Sequence, residues 1–115
     1  MYGTIVGDIC GSVYERASFS EDGLRLFYDR KDVKLFTEGC RFTDDTALTI
    51  ATAVAIMTDR DYARAYRSFY KGLPNRGYGS GFSKWADSKT TGTPYNSFGN
   101  GSAMRVSPVA WFGKS

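Results

Sequence analysis

Apolar positions fall at helical spacing along most of the chain. In GTIVGDICGSVYE, from residue 3 to about 15, Ile5, Val6, Ile9 and Val13 recur at helical intervals while Gly3, Gly7 and Gly11 stand four apart. Each interior glycine costs about 1 kcal/mol against alanine, so three of them predict a flat face where another backbone or a ligand comes close. Asp8 and Glu15 are seven apart and share the face bordering that stripe. A second helix is expected from about Asp45 to Met57, capped by Thr43 or Asp44; its Ala, Leu, Ile and Val lie all round, which predicts burial on every side. A third fits Asp61 to Lys71, with Tyr62, Ala65, Tyr66 and Phe69 on one side, Gly72 as the stop and Pro74 beyond. The Gly-, Ser- and Thr-rich stretch that follows predicts loops around a short helix at Gly81 to Asp87. A last helical segment opens near Gly101 and is expected to kink or end at Pro108. Residues 16 to 41 lack clean periodicity, and LRLFYDRKDVKLF within them fits a short helix or extended turns. Nothing reads as a strand, so the class is all-α.

Composition narrows this picture. At 115 residues the chain is one domain, residues 1–115, or a piece of a larger fold, and 42% hydrophobic with 16% aromatic content implies a packed core. A net charge of +3 with scattered basic residues does not imply nucleic acid. The absence of histidine removes imidazole chemistry, and with Cys10 and Cys40 alone a cysteine zinc site is impossible; two reduced thiols are expected. The N-terminus carries Asp8 within its apolar run and has no basic lead, which argues against a signal peptide or membrane span and for a cytoplasmic protein. Trp85 and Trp111 are expected in the core.

Two stretches carry candidate chemistry. FTDDT places Thr43, Asp44, Asp45 and Thr46 ahead of a buried helix. Capping explains one such oxygen; four converging at a buried position fit a hard divalent cation, Mg²⁺ or Mn²⁺, with Thr43, Asp44 and Asp45 as part of its shell. In YNSFGNGSAMR, Asn100 either caps the next helix or sits in an anion cradle, where Gly99 and Gly101 let backbone amides approach a phosphate and Ser97, Ser102 and Arg105 add donors. Gly77, Gly79 and Gly81 offer a second, weaker close-approach loop.

GTIVGDICGSVYE, FTDDT and SFGNGSAMRVSP, in this order, resemble the signature blocks of the N-terminal half of the ADP-ribosylglycohydrolase family, over Gly3 to about Pro108. The resemblance implies an all-α fold with a binuclear Mg²⁺ or Mn²⁺ centre that removes ADP-ribose from modified side chains such as arginine. It makes Thr43, Asp44 and Asp45 metal ligands, gives Asp44, Asp45 and Glu15 catalytic roles, and puts Ser97, Gly99, Asn100 and Gly101 on the diphosphate and nearby ribose, with Ser102 and Arg105 alongside. The expected partner is ADP-ribose or an ADP-ribosylated protein.

The family completes its metal site with a later Asp-x-Asp block followed by Ser or Thr, in chains more than twice as long. Here the one Asp-x-Asp is Asp59-Arg60-Asp61, followed by Tyr62, and it is not accepted as a substitute. Either a second copy or another chain completes the shell, or the metal is held weakly. Two functions follow: a glycohydrolase, or a catalytically impaired truncated homologue that binds ADP-ribose or a nucleotide diphosphate, or acts only within an oligomer.

Overall fold

Residue choice in DDTALTIATAVAIM explains why one helix organises the rest. The computed structural model describes residues 1–15, 34–89 and 93–112; most of LRLFYDRKDVKLF lies outside them. Six helices are described: α1 Tyr2–Gly11, α2 Asp44–Met57, α3 Tyr62–Gly72, α4 Ser80–Asp87, α5 Gly101–Met104 and α6 Ser107–Phe112. No strand occurs among the described residues, and the chain is all-α. Helix α2 touches α1, α3, α5 and α6, while α4 packs on α3. Its Ala47, Ala51 and Ala55 are small and fully buried, which lets neighbouring helices approach its backbone. Three threonines are buried on the same helix, and each hydroxyl has a partner: Thr46 on Asp8, Thr49 on the Met104 carbonyl at 3.2 Å and Thr52 on the Leu48 carbonyl at 2.8 Å.

The expected ends of α2, α3 and α4 hold to within a residue or two, with physical causes. Thr43 caps α2, its Oγ1 accepting from the Asp45 amide at 3.2 Å, and Asp44 and Asp45 sit in the first turn where the helix dipole favours negative charge. Asp61 is the cap of α3 rather than its first residue, with Oδ1 accepting from the Arg64 amide at 2.9 Å. The core joins Leu48, Phe82 and Ala86 to a shell of Tyr66, Tyr70, Tyr78, Trp85 and Met104. Phe82 and Tyr78 stack at 5.6 Å, and Tyr70 meets both rings edge-on.

Four expectations are corrected. Helix α1 stops at Gly11, and residues 12–15 form turns that bring Glu15 round. A Cβ at Gly3, Gly7 or Gly11 would meet no atom within 4 Å, so among the described residues the glycine stripe is not a contact face. The break in the last segment falls at Arg105 and Val106, and Pro108 is the buried second residue of α6, where a first-turn proline loses no helical hydrogen bond. Trp111 is 71% exposed and is not core, whereas Trp85 packs against the core as expected.

Candidate active site

Helix α1 delivers Asp8 to the start of α2. Its Oδ2 accepts from the Thr43 amide at 2.8 Å, from the Thr46 amide at 3.2 Å and from Thr46 Oγ1; its Oδ1 accepts from Thr43 Oγ1 at 2.6 Å. Asp8 thus caps α2 from another helix, sharing the first-turn amides with Thr43. The arrangement accounts for both threonines of FTDDT: their hydroxyls turn inward as donors to Asp8, and Thr43 is 3% exposed. The two aspartates do something else.

Carboxylate oxygens of Asp8, Glu15 and Asp45 all lie within 4.8 Å of one another. Glu15 reaches the cluster from the turns after α1, whose geometry Ser12 fixes by donating to the Ile9 carbonyl at 2.8 Å and accepting from the Arg41 amide at 3.0 Å. Burial and the neighbouring Asp45 and Asp8 push Glu15 above its usual range, with Arg41 opposing. Burial and Asp8 do the same to Asp45. Asp44 stands to one side: its amide donates to the Arg76 carbonyl at 2.8 Å, and its Oδ1 would lie 3.6 Å from a Cβ at Gly77, whose φ of +92° suits only glycine. Burial first, then Asp45, raise Asp44 to about 6, against the pull of a backbone hydrogen bond.

Three carboxylates therefore lie close together with Asp44 beside them, a donor set of hard oxygens. In a six-coordinate Mg²⁺ shell adjacent ligand oxygens are about 2.9 Å apart, so the cluster would draw in to hold the ion. The residues fit a divalent cation. Asp44, expected as a ligand, lies beside the threefold carboxylate cluster, and Thr43 Oγ1 touches the cluster through Asp8 at 2.6 Å; Asp8 was not among the expected ligands. Its signal was the carboxylate inside an apolar run, on the face it shares with Glu15. Asp59 and Asp61 take structural places: Asp59 accepts from the Asp61 amide at 3.1 Å and pairs with Arg64, and Asp61 caps α3.

One turn further along α2, Leu48 forms the wall of a groove of about 670 Å³, within the range of small-molecule sites. Ser97, Gly99, Asn100, Gly101, Ser102 and Arg105, all expected to bind substrate, line it together. Gly79 and Gly81 of the second loop line it as well, and Gly77 does not. Asn100 makes no side-chain cap to α5, which removes the capping explanation for it. The segment before the loop is strapped to α4: Trp85 Nε1 donates to the Thr93 carbonyl at 2.9 Å, and Tyr95 lies so close that a Cβ at Gly81 would come within 3.3 Å of its ring. Tyr66, on α3, faces the groove under the Arg105 guanidinium, 4.5 Å from its ring centre. Neither Trp85 nor Tyr66 carried a sequence signal beyond aromaticity.

No helix among the described residues is long and apolar enough to cross a membrane. The sequence is 30% identical over 137 residues to the ADP-ribosylhydrolase ARH3 of Mus musculus, covering 94% of this chain and 36% of that protein. It is 28% identical over 134 residues to the ADP-ribosylhydrolase ARH3 of Bos taurus, with the same coverage, so it spans about a third of the length of these curated relatives. No solved structure matches the chain. Residues 1–115 match the family described as ADP-ribosylglycohydrolase over their whole length. With acidic cluster and glycine-rich groove set on successive turns of one helix, the chain belongs to the ADP-ribosylglycohydrolase family.

Proposed function

We propose that this chain carries one side of a divalent-cation centre and the diphosphate-facing loop of an enzyme that hydrolyses the glycosidic bond between ADP-ribose and a modified side chain such as arginine. The observation that carries this reading is the approach of Asp8, Glu15 and Asp45 to within 4.8 Å of one another beside the groove-bearing turn of α2. The relatives' name, ADP-ribosylhydrolase, supports the substrate class.

Asp8, Glu15 and Asp45 would hold Mg²⁺ or Mn²⁺, with Asp44 adjacent and Thr43 fixing Asp8 from behind. A cation bound there would supply Lewis acidity and orient sugar hydroxyls. Glycosidic cleavage passes through an oxocarbenium-like state, in which a carboxylate near the anomeric carbon stabilises positive charge or takes a proton from water. Glu15 suits that work by its place: it is the exposed member of the cluster, reaching it from the turns after α1. Ser97, Asn100 and Ser102 supply neutral polar groups and Arg105 a fixed positive charge to the diphosphate, while Gly99 and Gly101 keep the loop open to close approach. Three monodentate carboxylates fill half of an octahedral shell, so waters and groups other than these three are proposed to complete a binuclear centre. Calorimetric titration with Mg²⁺, then ADP-ribose, tests the reading: both should bind, ADP-ribose more tightly with the cation. No heat from either ends it; ADP-ribose binding without release of ADP-ribose from ADP-ribosyl-arginine leaves the binding function alone.

A further inference from the structure

Arg105 is the charged residue among those lining the groove. Its surroundings say more. Thr49 Oγ1 donates to the carbonyl of Met104 at 3.2 Å, which ties the backbone just before Arg105 to α2. From that fixed root the side chain folds back over α5, with Nη1 3.4 Å from where a Cβ of Gly101 would stand, and its guanidinium lies 4.5 Å from the centre of the Tyr66 ring. Among the described residues the guanidinium pairs with no carboxylate; the ion pair found there is Arg64 with Asp59. An aromatic face holds an arginine without consuming its donors, because the attraction is to the ring's π-density and the N–H edge stays free.

Tyr66 is itself held. Thr52 Oγ1 gives its one hydrogen to the Leu48 carbonyl at 2.8 Å, so in the 3.0 Å contact between Thr52 and Tyr66 the phenol is the donor. Thr52 is buried on α2, and the Tyr66 ring packs against the Leu48 and Phe82 core. The ring is therefore anchored at its hydroxyl end and presents its face to the groove, which both Tyr66 and Arg105 line.

We propose that Tyr66 is a positioning residue for anion binding: its ring, locked to α2 through Thr52, holds the Arg105 guanidinium over Gly101 with its N–H edge available to a diphosphate. The proposal rests on the reading of the groove as an ADP-ribose site. It predicts that a branched side chain at position 101 crowds the guanidinium, since a Cβ there already stands 3.4 Å from Nη1. It also separates Tyr66 from Tyr70 and Tyr78, which do not line the groove: their rings pack on Phe82 and their hydroxyls donate to Asp87 and to the Leu73 carbonyl.

The test is ADP-ribose affinity, by calorimetry, for the wild type and for Arg105→Met, Arg105→Lys, Tyr66→Phe, Tyr66→Leu and the Tyr66→Leu/Arg105→Met double variant. Loss of the charged donors in Arg105→Met should weaken binding by about 10- to 100-fold. Tyr66→Leu removes the platform and should cost about 3- to 10-fold, while Tyr66→Phe keeps the face and should stay within about twofold. Arg105→Lys keeps the charge but cannot lie flat, and should lose about as much as Tyr66→Leu. The double variant should bind no worse than Arg105→Met, since a platform with nothing on it has no effect. Additive losses in the double variant, or wild-type affinity in Tyr66→Leu, overturn the proposal. If Tyr66→Leu does not fold, Arg105→Lys decides: full affinity with lysine overturns it and lost affinity with Tyr66→Phe intact supports it. A wild type that binds no ADP-ribose sinks the groove reading and this inference with it; wild-type binding with an unaffected Arg105→Met sinks the inference alone.

Discussion

The acidic cluster and the glycine-rich groove flank the same end of α2, yet they are stabilised in opposite ways. At the cluster, Asp8 satisfies two threonines and two amides and holds the fold together, while burial and neighbouring carboxylates hold Asp44, Asp45 and Glu15 above their ordinary range. At the groove, no acidic side chain lines the wall, the loop is exposed, and position is set by aromatic side chains of α3 and α4, with Trp85 Nε1 donating to the Thr93 carbonyl. One region is pre-strained by charge and would relax on binding a cation; the other is pre-formed by packing and would change little on binding an anion.

The sharpest break in that comparison is within the cluster itself. Asp8→Ala leaves buried Thr43 and Thr46 without their partner, and should cost about 3 kcal/mol of unfolding free energy in urea titrations. A loss under about 1 kcal/mol would mean Asp8 is no anchor. At the groove, Gly101→Val should weaken ADP-ribose binding by at least about tenfold through displacement of Arg105 with helix content unchanged, and Gly99→Val, which meets only Ser97 Oγ at 3.5 Å, should cost less. Equal, small effects at both glycines would remove the close-approach role.

Asp44 should show the opposite sign from Asp8. Its native pKa of about 6 lies above its ordinary 3.8, so folding is penalised as pH rises from about 4 through about 6, and the penalty is complete above that. Asp44→Asn should therefore raise stability in metal-free buffer at pH 7, by about 1 kcal/mol once screening of a half-buried group is allowed for, and change nothing below pH 4. Melts of both proteins at pH 3.5 and pH 7 would expose an error if the variant were less stable at neutral pH. Smallest of all, Trp85→Phe removes the hydrogen bond to Thr93 and part of a ring that packs on Phe82, Tyr95 and Arg67, and should cost about 1 kcal/mol, with ADP-ribose affinity lowered about twofold. Unchanged stability and affinity would mean the strap is held by Tyr95 on Gly81.

Much of this was legible in the sequence because it depends on local rules. Thr43 reads as a cap, the run after it as a buried helix, and SFGNGS as a loop at a helix start, and the structure gathers the six expected groove residues into one wall. What the sequence concealed depends on which helices meet. Asp8 is a single carboxylate in an apolar stretch until α1 is laid across the start of α2. Tyr66 is one more apolar-face residue of α3 until Arg105 arrives from 39 positions downstream. Pro108 misled because proline stops a helix from its interior and starts one from its first turn, and the break two residues earlier was set by Arg105 and Val106.

The central claim is that mutual repulsion among Asp8, Glu15 and Asp45 is there to be relieved by a divalent cation. Thermal melts of the wild type and Asp45→Asn with and without about 10 mM Mg²⁺ test it most directly. For a site with a dissociation constant of about 1 mM, linkage predicts about 1.4 kcal/mol of stabilisation, or about 5 °C, in the wild type. Asp45→Asn should melt at or above the wild-type temperature without metal and gain nothing from Mg²⁺. A wild type indifferent to Mg²⁺, or an equal shift in both proteins, would contradict the account.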